Sequence, residues 1–137
     1  MLAFVTTLDF DEAGDAKNAI IVDEEWALSI GRNTLIFFLL HEEAHFLNGD
    51  IDHPDNLKGF FRLWRAEVRA DRAALDMYVR LGYGIQVLKE EYEKDMKDIV
   101  NQNRGFKGGV INGFRYAYIK AKINKLTKVS QSFSTMA

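Results

Sequence analysis

The sequence predicts an α+β domain in which a small N-terminal sheet packs on a helical bundle. Two observations predict it. Short β-branched runs are confined to the stretch ending at Val22, and from Thr34 onward apolar residues recur at helical spacing. A third observation sets the scale. With 137 residues, 47% of them apolar and 28% charged, the chain suits one hydrophobic core and a single domain over 1–137.

Leu2–Thr7 and Ala19–Val22 read as strands, with the polar stretch 8–18 between them as a turn or loop. Thr34–Leu47 reads as a helix, with Asn33 as N-cap and Gly49 at the C′ position. Its first turns, LIFFLL, are apolar on every side, which places this helix in the middle of the core. A polar loop at 49–56 holds the only proline. Leu57–Leu81 then reads as one long helix closed by Gly82. Ile85–Val100 follows, with an apolar stripe at 85, 88, 92, 96 and 99. The basic NRGFKGG at 103–109 predicts a flexible connection. Val110 to about Lys128 predicts a last helix, and SQSFSTMA a frayed end.

Chemistry is concentrated at His41-Glu42-Glu43-Ala44-His45, an HExxH pattern. On a helix, positions i and i+4 lie one turn apart on one face, so two imidazoles can reach one ion. Glu42 points to one side of that face. It can hold a metal-activated water without ligating the metal, and so act as the general base. At this composition a chance HExxH somewhere in the chain has a probability of about half a per cent. The plainer alternative, two solvated histidines at a helix end, fits poorly with a motif that directly follows a fully apolar run.

A third ligand is sought by patterning. In the long helix, Arg62, Arg65, Arg69, Arg72, Asp76 and Arg80 mark a wet face. Phe60, Leu63, Trp64, Ala74, Leu75, Tyr78 and Leu81 mark a dry one. Glu67 and Asp71 fall on the dry face, and buried carboxylates are costly unless paired or metal-bound. One reading is inward salt bridges, with Arg32 as a partner. The other gives each acid a role: Glu67 completes a two-histidine, one-carboxylate zinc site, and Asp71 accepts the free ring N–H of a ligand histidine.

HEEAH followed, after 21 intervening residues, by Glu67-Val-Arg-Ala-Asp71 resembles the gluzincin pattern HExxH…ExxxD, shared by thermolysin-like and membrane-embedded CAAX-processing peptidases. The resemblance covers roughly residues 19–81. It implies a zincin-like active-site helix plus a glutamate helix. It implies a zinc-dependent peptidase with one Zn2+ per chain held by His41, His45 and Glu67, with Glu42 as catalytic base and Asp71 behind the ligands. It also implies that an extended peptide substrate binds along the 19–26 strand, AIIVDEEW. A metzincin pattern is excluded, because Asn48 and Ile51 stand where it needs glycine and histidine. A transition-state donor opposite Glu42 is expected, and Tyr78, Tyr83, Tyr116 and His53 all remain candidates. The alternative function is a zinc-binding structural or regulatory module without turnover. An intact Glu42 argues against it.

The absence of cysteine excludes disulfide scaffolds and thiolate metal sites. The first residues lack a basic n-region, and the longest apolar run, Leu35–Leu40, is far too short to span a bilayer. Both lead to the expectation of a soluble, cytoplasmic protein without a membrane partner. Charge is uneven. Residues 1–98 hold 11 Lys and Arg against 20 Asp and Glu, whereas 99–137 hold seven cations and no acid. The basic segment at about 101–137 is expected to dock on the acidic body or, in the second reading, to bind nucleic acid. In both readings it stays apart from the metal site.

Protein purified without added metal is expected to carry one zinc per chain by elemental analysis. A content near zero that added zinc does not raise would remove the site.

Overall fold

The computed structural model describes residues 3–10, 16–50, 53–101 and 106–136. Two strands open the chain, β1 (Ala3–Phe10) and β2 (Ala16–Val22). They pair antiparallel from Ala3↔Val22 to Phe10↔Ala16, with a register irregularity between Thr7 and Asp9. Both strands run further than composition suggests, because pairing carries the polar residues Asp9, Lys17 and Asn18 into the ladder. The expectations for Leu2, for positions 11–15 and 51–52, for 103–105 of the basic connection and for Ala137 lie outside the described residues.

The expected strand at 19–26 ends at Val22. Asp23 caps a short helix, α1 (Glu24–Ser29), its carboxylate accepting the Trp26 backbone N–H at 2.8 Å. Aspartate as N-cap followed by two glutamates in the first turn is a helix-start signal, and it outcompetes strand propensity here. Trp26 turns into the core.

Four longer helices make the bundle: α2 (Arg32–Leu47), α3 (Phe60–Arg80), α4 (Ile85–Asn101) and α5 (Phe106–Met136). α2 neighbours α3 and α4, and α5 closes the ring by packing on the same two; the strand pair lies along α2. α2 is therefore covered on several sides, as its all-round apolar LIFFLL requires. Phe37 and Thr34 are fully buried, and Leu35, Ile36, Phe38, Leu39 and Leu40 are all half-covered. Phe37, Leu75, Tyr78, Leu88, Tyr92, Ile119 and Ile123 form the common core.

α3 starts later than predicted, because Pro54–Leu57 forms a separate 3-10 turn before Gly59. Its arginine face is exposed as expected. Its buried seam is Ala66, Ala70, Asp71, Ala74, Leu75 and Tyr78, whereas Trp64 and Leu81 are exposed. The alanines place the seam nearer Glu67 and Asp71 than the bulky residues suggest, and let α2 approach closely. α5 begins before the predicted Val110 and continues through the segment expected to fray. Gly108 and Gly109 cost about 1 kcal/mol each relative to alanine. Packing through Ile119, Ile123 and Thr127 offsets that, as tertiary contact usually does for helices.

α2 lacks a side-chain cap of its own. Its N-cap is Gly31, and Asn33 lies inside the helix instead of capping it. The orphan N–H groups are satisfied from α4 instead. Glu91 accepts the backbone N–H of Asn33 at 2.8 Å and of Thr34 at 3.3 Å, and the Asn33 side-chain amide at 3.0 Å. Asp95 accepts the Gly31 N–H at 3.0 Å. A Cβ at Gly31 would overlap the Glu91 carboxylate, so only glycine admits this approach. Negative charge at a helix N-terminus is favourable as well.

Glu91→Ala is expected to lower stability by about 1–2 kcal/mol in urea unfolding, the usual size of a lost cap. A loss below about 0.5 kcal/mol, the range of ordinary surface substitutions, would show that α2 does not depend on α4 for its start.

Candidate metal centre

α2 carries His41 and His45 one turn apart, and both are buried, at 2% and 8% exposure. Their Nε2 atoms face each other at 3.0 Å. From α3, Glu67 bridges them, with Oε1 3.1 Å from His45 Nε2 and Oε2 3.4 Å from His41 Nε2. One ligand atom from each of the three lies within 4.8 Å of the others, and this His41–His45–Glu67 group could hold a metal ion.

Each histidine is backed on its other nitrogen. His41 Nδ1 lies 2.6 Å from Asp71 Oδ1, and His45 Nδ1 lies 2.8 Å from Asp50 Oδ2. A carboxylate offers only lone pairs, so Nδ1 carries the hydrogen and donates it. Each neutral imidazole then keeps its lone pair on Nε2, directed at the shared point. The donors fit an ion by chemistry and by size. Two imidazole nitrogens and a carboxylate oxygen are a common zinc set, and the edge of a zinc tetrahedron with bonds near 2.0–2.1 Å is about 3.3 Å. Head-to-head Nε2 atoms have no better reason to meet in a protein interior.

Local backbone explains the Asp50 contact. α2 ends with Asn48 as C-cap, and Gly49 follows at φ +77°, a conformation glycine adopts freely. The Gly49 N–H bonds the Phe46 carbonyl at 3.1 Å and the Asp50 N–H bonds the His45 carbonyl at 3.0 Å. This Schellman pairing brings the residue after the glycine back over the third residue from the helix end. Here those residues are Asp50 and His45.

Arg115 of α5 enters the same cluster. Its Nε and one terminal nitrogen donate to the two Asp71 oxygens at 2.9 Å each. The other terminal nitrogen lies 2.9 Å from Glu67 Oε2. The basic C-terminal segment therefore does not stay apart from the site: it docks on the acidic body there. Arg32, the partner that the salt-bridge reading gave the α3 acids, is exposed, and Arg115 pairs with them instead.

Charges are matched throughout. Burial lowers the basicity of His41, but the Asp71 charge and hydrogen bond, with Glu67, more than reverse this and lift it to about 9. His45 is also raised: burial opposes protonation, and the hydrogen bonds to Glu67 and Asp50 together with the Glu67 charge outweigh it. Glu67 and Asp71 are held well below the usual carboxylate range. Burial alone would raise them, and the facing histidines and Arg115 overcome it. Glu42, half-buried beside them, is pushed up by burial, while the charges of His41 and His45 pull the other way.

The proposed donors opposite Glu42 fare differently. Tyr78 is fully buried in the core, and its hydroxyl is shared between Asn33 Oδ1 at 3.1 Å and the Gly84 carbonyl at 2.9 Å. Burial raises it to about 12. It has no hydroxyl left for a substrate. Tyr83, exposed in the connection between α3 and α4, stacks on Tyr78, and Tyr116 of α5 stacks on Tyr92. His53 is exposed, and its ring lies beside Gly49 at the end of the histidine helix.

Sequence reasoning missed Asp50 and Arg115. A signal for Asp50 existed, since a glycine at C′ implies a fold-back of the next residue onto the helix. No local spacing could have found Arg115, which is 44 residues beyond Asp71. Comparison with protein-family models, curated proteins and solved structures finds no match to this chain. Among the described residues, no helix is long and apolar enough to cross a membrane.

Without a bound metal His41 is protonated near neutrality, and a dication bound there would replace that proton. A raised histidine stabilises the fold fully below its ordinary value of 6.5 and loses that contribution as pH rises through about 9. Chelated protein is therefore expected to lose thermal stability across that interval, and zinc-loaded protein to lose little. Melting curves with and without chelator test this; a flat chelated profile would show that His41 is already neutral.

Proposed function

We propose that this chain is a zinc-dependent peptidase of gluzincin type, with His41, His45 and Glu67 as ligands and Glu42 as general base. The observation that carries the reading is the convergence of both Nε2 atoms and Glu67 on one point, while Asp71 and Asp50 hold the Nδ1 atoms. The same donor set also suits iron. Zinc is preferred because Glu42 stands between the two histidine positions in sequence as a partly buried base, which hydrolysis requires and a redox site does not. A bound zinc would polarise a peptide carbonyl and acidify a water.

The chain's own groups supply the rest. Burial raises Glu42 above the ordinary carboxylate value, the direction that favours taking and returning a proton. It would accept the proton of the attacking water and deliver it to the leaving amine. Asp71 and Asp50 fix the imidazole tautomers and orientation. Substrate would lie in extended form against β2. The segment available for such strand addition is Ala16–Val22, since the residues from Glu24 are helical. The hairpin is two-stranded among the described residues, so β2 has an edge without a strand partner.

Glu42→Gln is expected to keep zinc occupancy and lower peptide cleavage by about 10²–10⁴-fold. Glu67→Ala is expected to lose zinc and cleavage together. Parallel metal analysis and digestion of a peptide library measure both. Zinc lost from the Glu42 variant but kept by the Glu67 variant would reverse the assignment. If the parent holds zinc but cleaves nothing in the library, the site is a structural metal module without turnover.

A further inference from the structure

Two carboxylates back the histidine ligands, and each has an arginine behind it, but the two arrangements are unequal. Arg69 reaches Asp50 through one contact of 3.3 Å from a side chain that is 52% exposed. Arg115 is 15% exposed, and all of its nitrogens face the cluster. Two of them fork onto both oxygens of Asp71, and the third holds Oε2 of Glu67. The nitrogen that holds Asp71 Oδ1 also lies 3.4 and 3.5 Å from the two ring nitrogens of His41. A single planar group thus joins α5 to one ligand directly and to a second through Asp71.

Two effects of opposite sign follow from that position. A fixed cation repels a dication, which weakens metal binding. A fork that locks two carboxylates in place strengthens it, because ligand orientation is commonly worth 10–100-fold in affinity. Position should win here. The guanidinium charge is already matched by Asp71 and Glu67, so little of it remains to act on an ion, whereas both carboxylates lose a fixed partner if it goes.

We propose that Arg115 is a positioning residue for the metal centre: its guanidinium fixes Asp71 against His41 and one oxygen of Glu67, so that the ligand geometry is set by α5. This rests on the reading of His41, His45 and Glu67 as a metal site. It assigns a site function to a helix that carries none of the motif residues.

Zinc affinity of the full chain, measured by competition with a chromophoric chelator, tests it in Arg115→Lys, Arg115→Met, Asp71→Asn and the Arg115→Met/Asp71→Asn double variant. Lysine keeps the charge and a point contact but cannot fork. Arg115→Lys is expected to weaken zinc binding by about tenfold, and Arg115→Met by up to about 100-fold. Adding Asp71→Asn to Arg115→Met should cost much less than Asp71→Asn alone, since both cut one route. Melting of the chelated proteins reports α5 docking separately. Zinc affinity in Arg115→Lys within about twofold of the parent, or tighter binding in either arginine variant, overturns the proposal. So do lower melting temperatures with unchanged affinity, or additive losses in the double variant. If Arg115→Met does not fold, the lysine variant decides alone. A parent that binds no zinc overturns the metal reading itself, before any variant is compared.

Discussion

Buried charge must be matched, and this requirement organises the molecule around its centre. Glu67 and Asp71 sit on the buried side of α3, His41 and His45 on the buried part of α2, and Asp50 is 2% exposed. None of these groups would be tolerated alone in an apolar interior. They are tolerated because each faces a partner of the other sign. Arg115 supplies the innermost cation, reaching in from the opposite helix. Remove any one member and its neighbours become the unpaired groups. The cluster therefore behaves as one unit whose parts cannot be assigned separate energies.

The apolar core is arranged to permit this. Ala66, Ala70 and Ala74 keep the α2–α3 interface thin, so that side chains from the two helices can meet at hydrogen-bonding distance. Larger residues at those positions would separate the helices and take Glu67 away from the histidines. Phe37, Leu75, Tyr78, Tyr92 and Ile119 provide the bulk of the packing.

Much of this was legible from sequence, and the failures have physical causes. HEEAH and the acid pair Glu67 and Asp71 were found because helical spacing is a one-dimensional signal, and they do meet in three dimensions. Gly49 and Gly82 were found as helix stops for the same reason. Bulky residues mark the dry face of α3 in sequence, a criterion that includes exposed Trp64 and omits buried Ala66 and Ala70. Bulk measures what a residue gains by burial, whereas alanine at a tight crossing is buried because nothing larger fits. Asn33 was read as the cap because capping rules consider only neighbours in sequence. Glu91 and Asp95 make that contact from 58 and 64 residues away. Arg115 was hidden in the same way. The cation surplus from 99 onward implies docking on the acidic body, but composition does not say which cation enters the site.

The borrowed cap on α2 has a bearing on how the protein comes to exist. A chain growing from its N-terminus presents both histidines and Glu67 well before Glu91, Asp95 or Arg115 has been made. Until then the histidine helix lacks the partners of its first turn, and the acids of α3 lack the guanidinium that faces them. Loop-closure entropy rises only slowly with separation, so distance itself is a small obstacle. The obstacle is sequence order. The His41–His45–Glu67 cluster takes its partners from helices that come later in the chain. The arrangement of His41, His45 and Glu67 is complete only once α4 and α5 are in place to supply Glu91, Asp95 and Arg115.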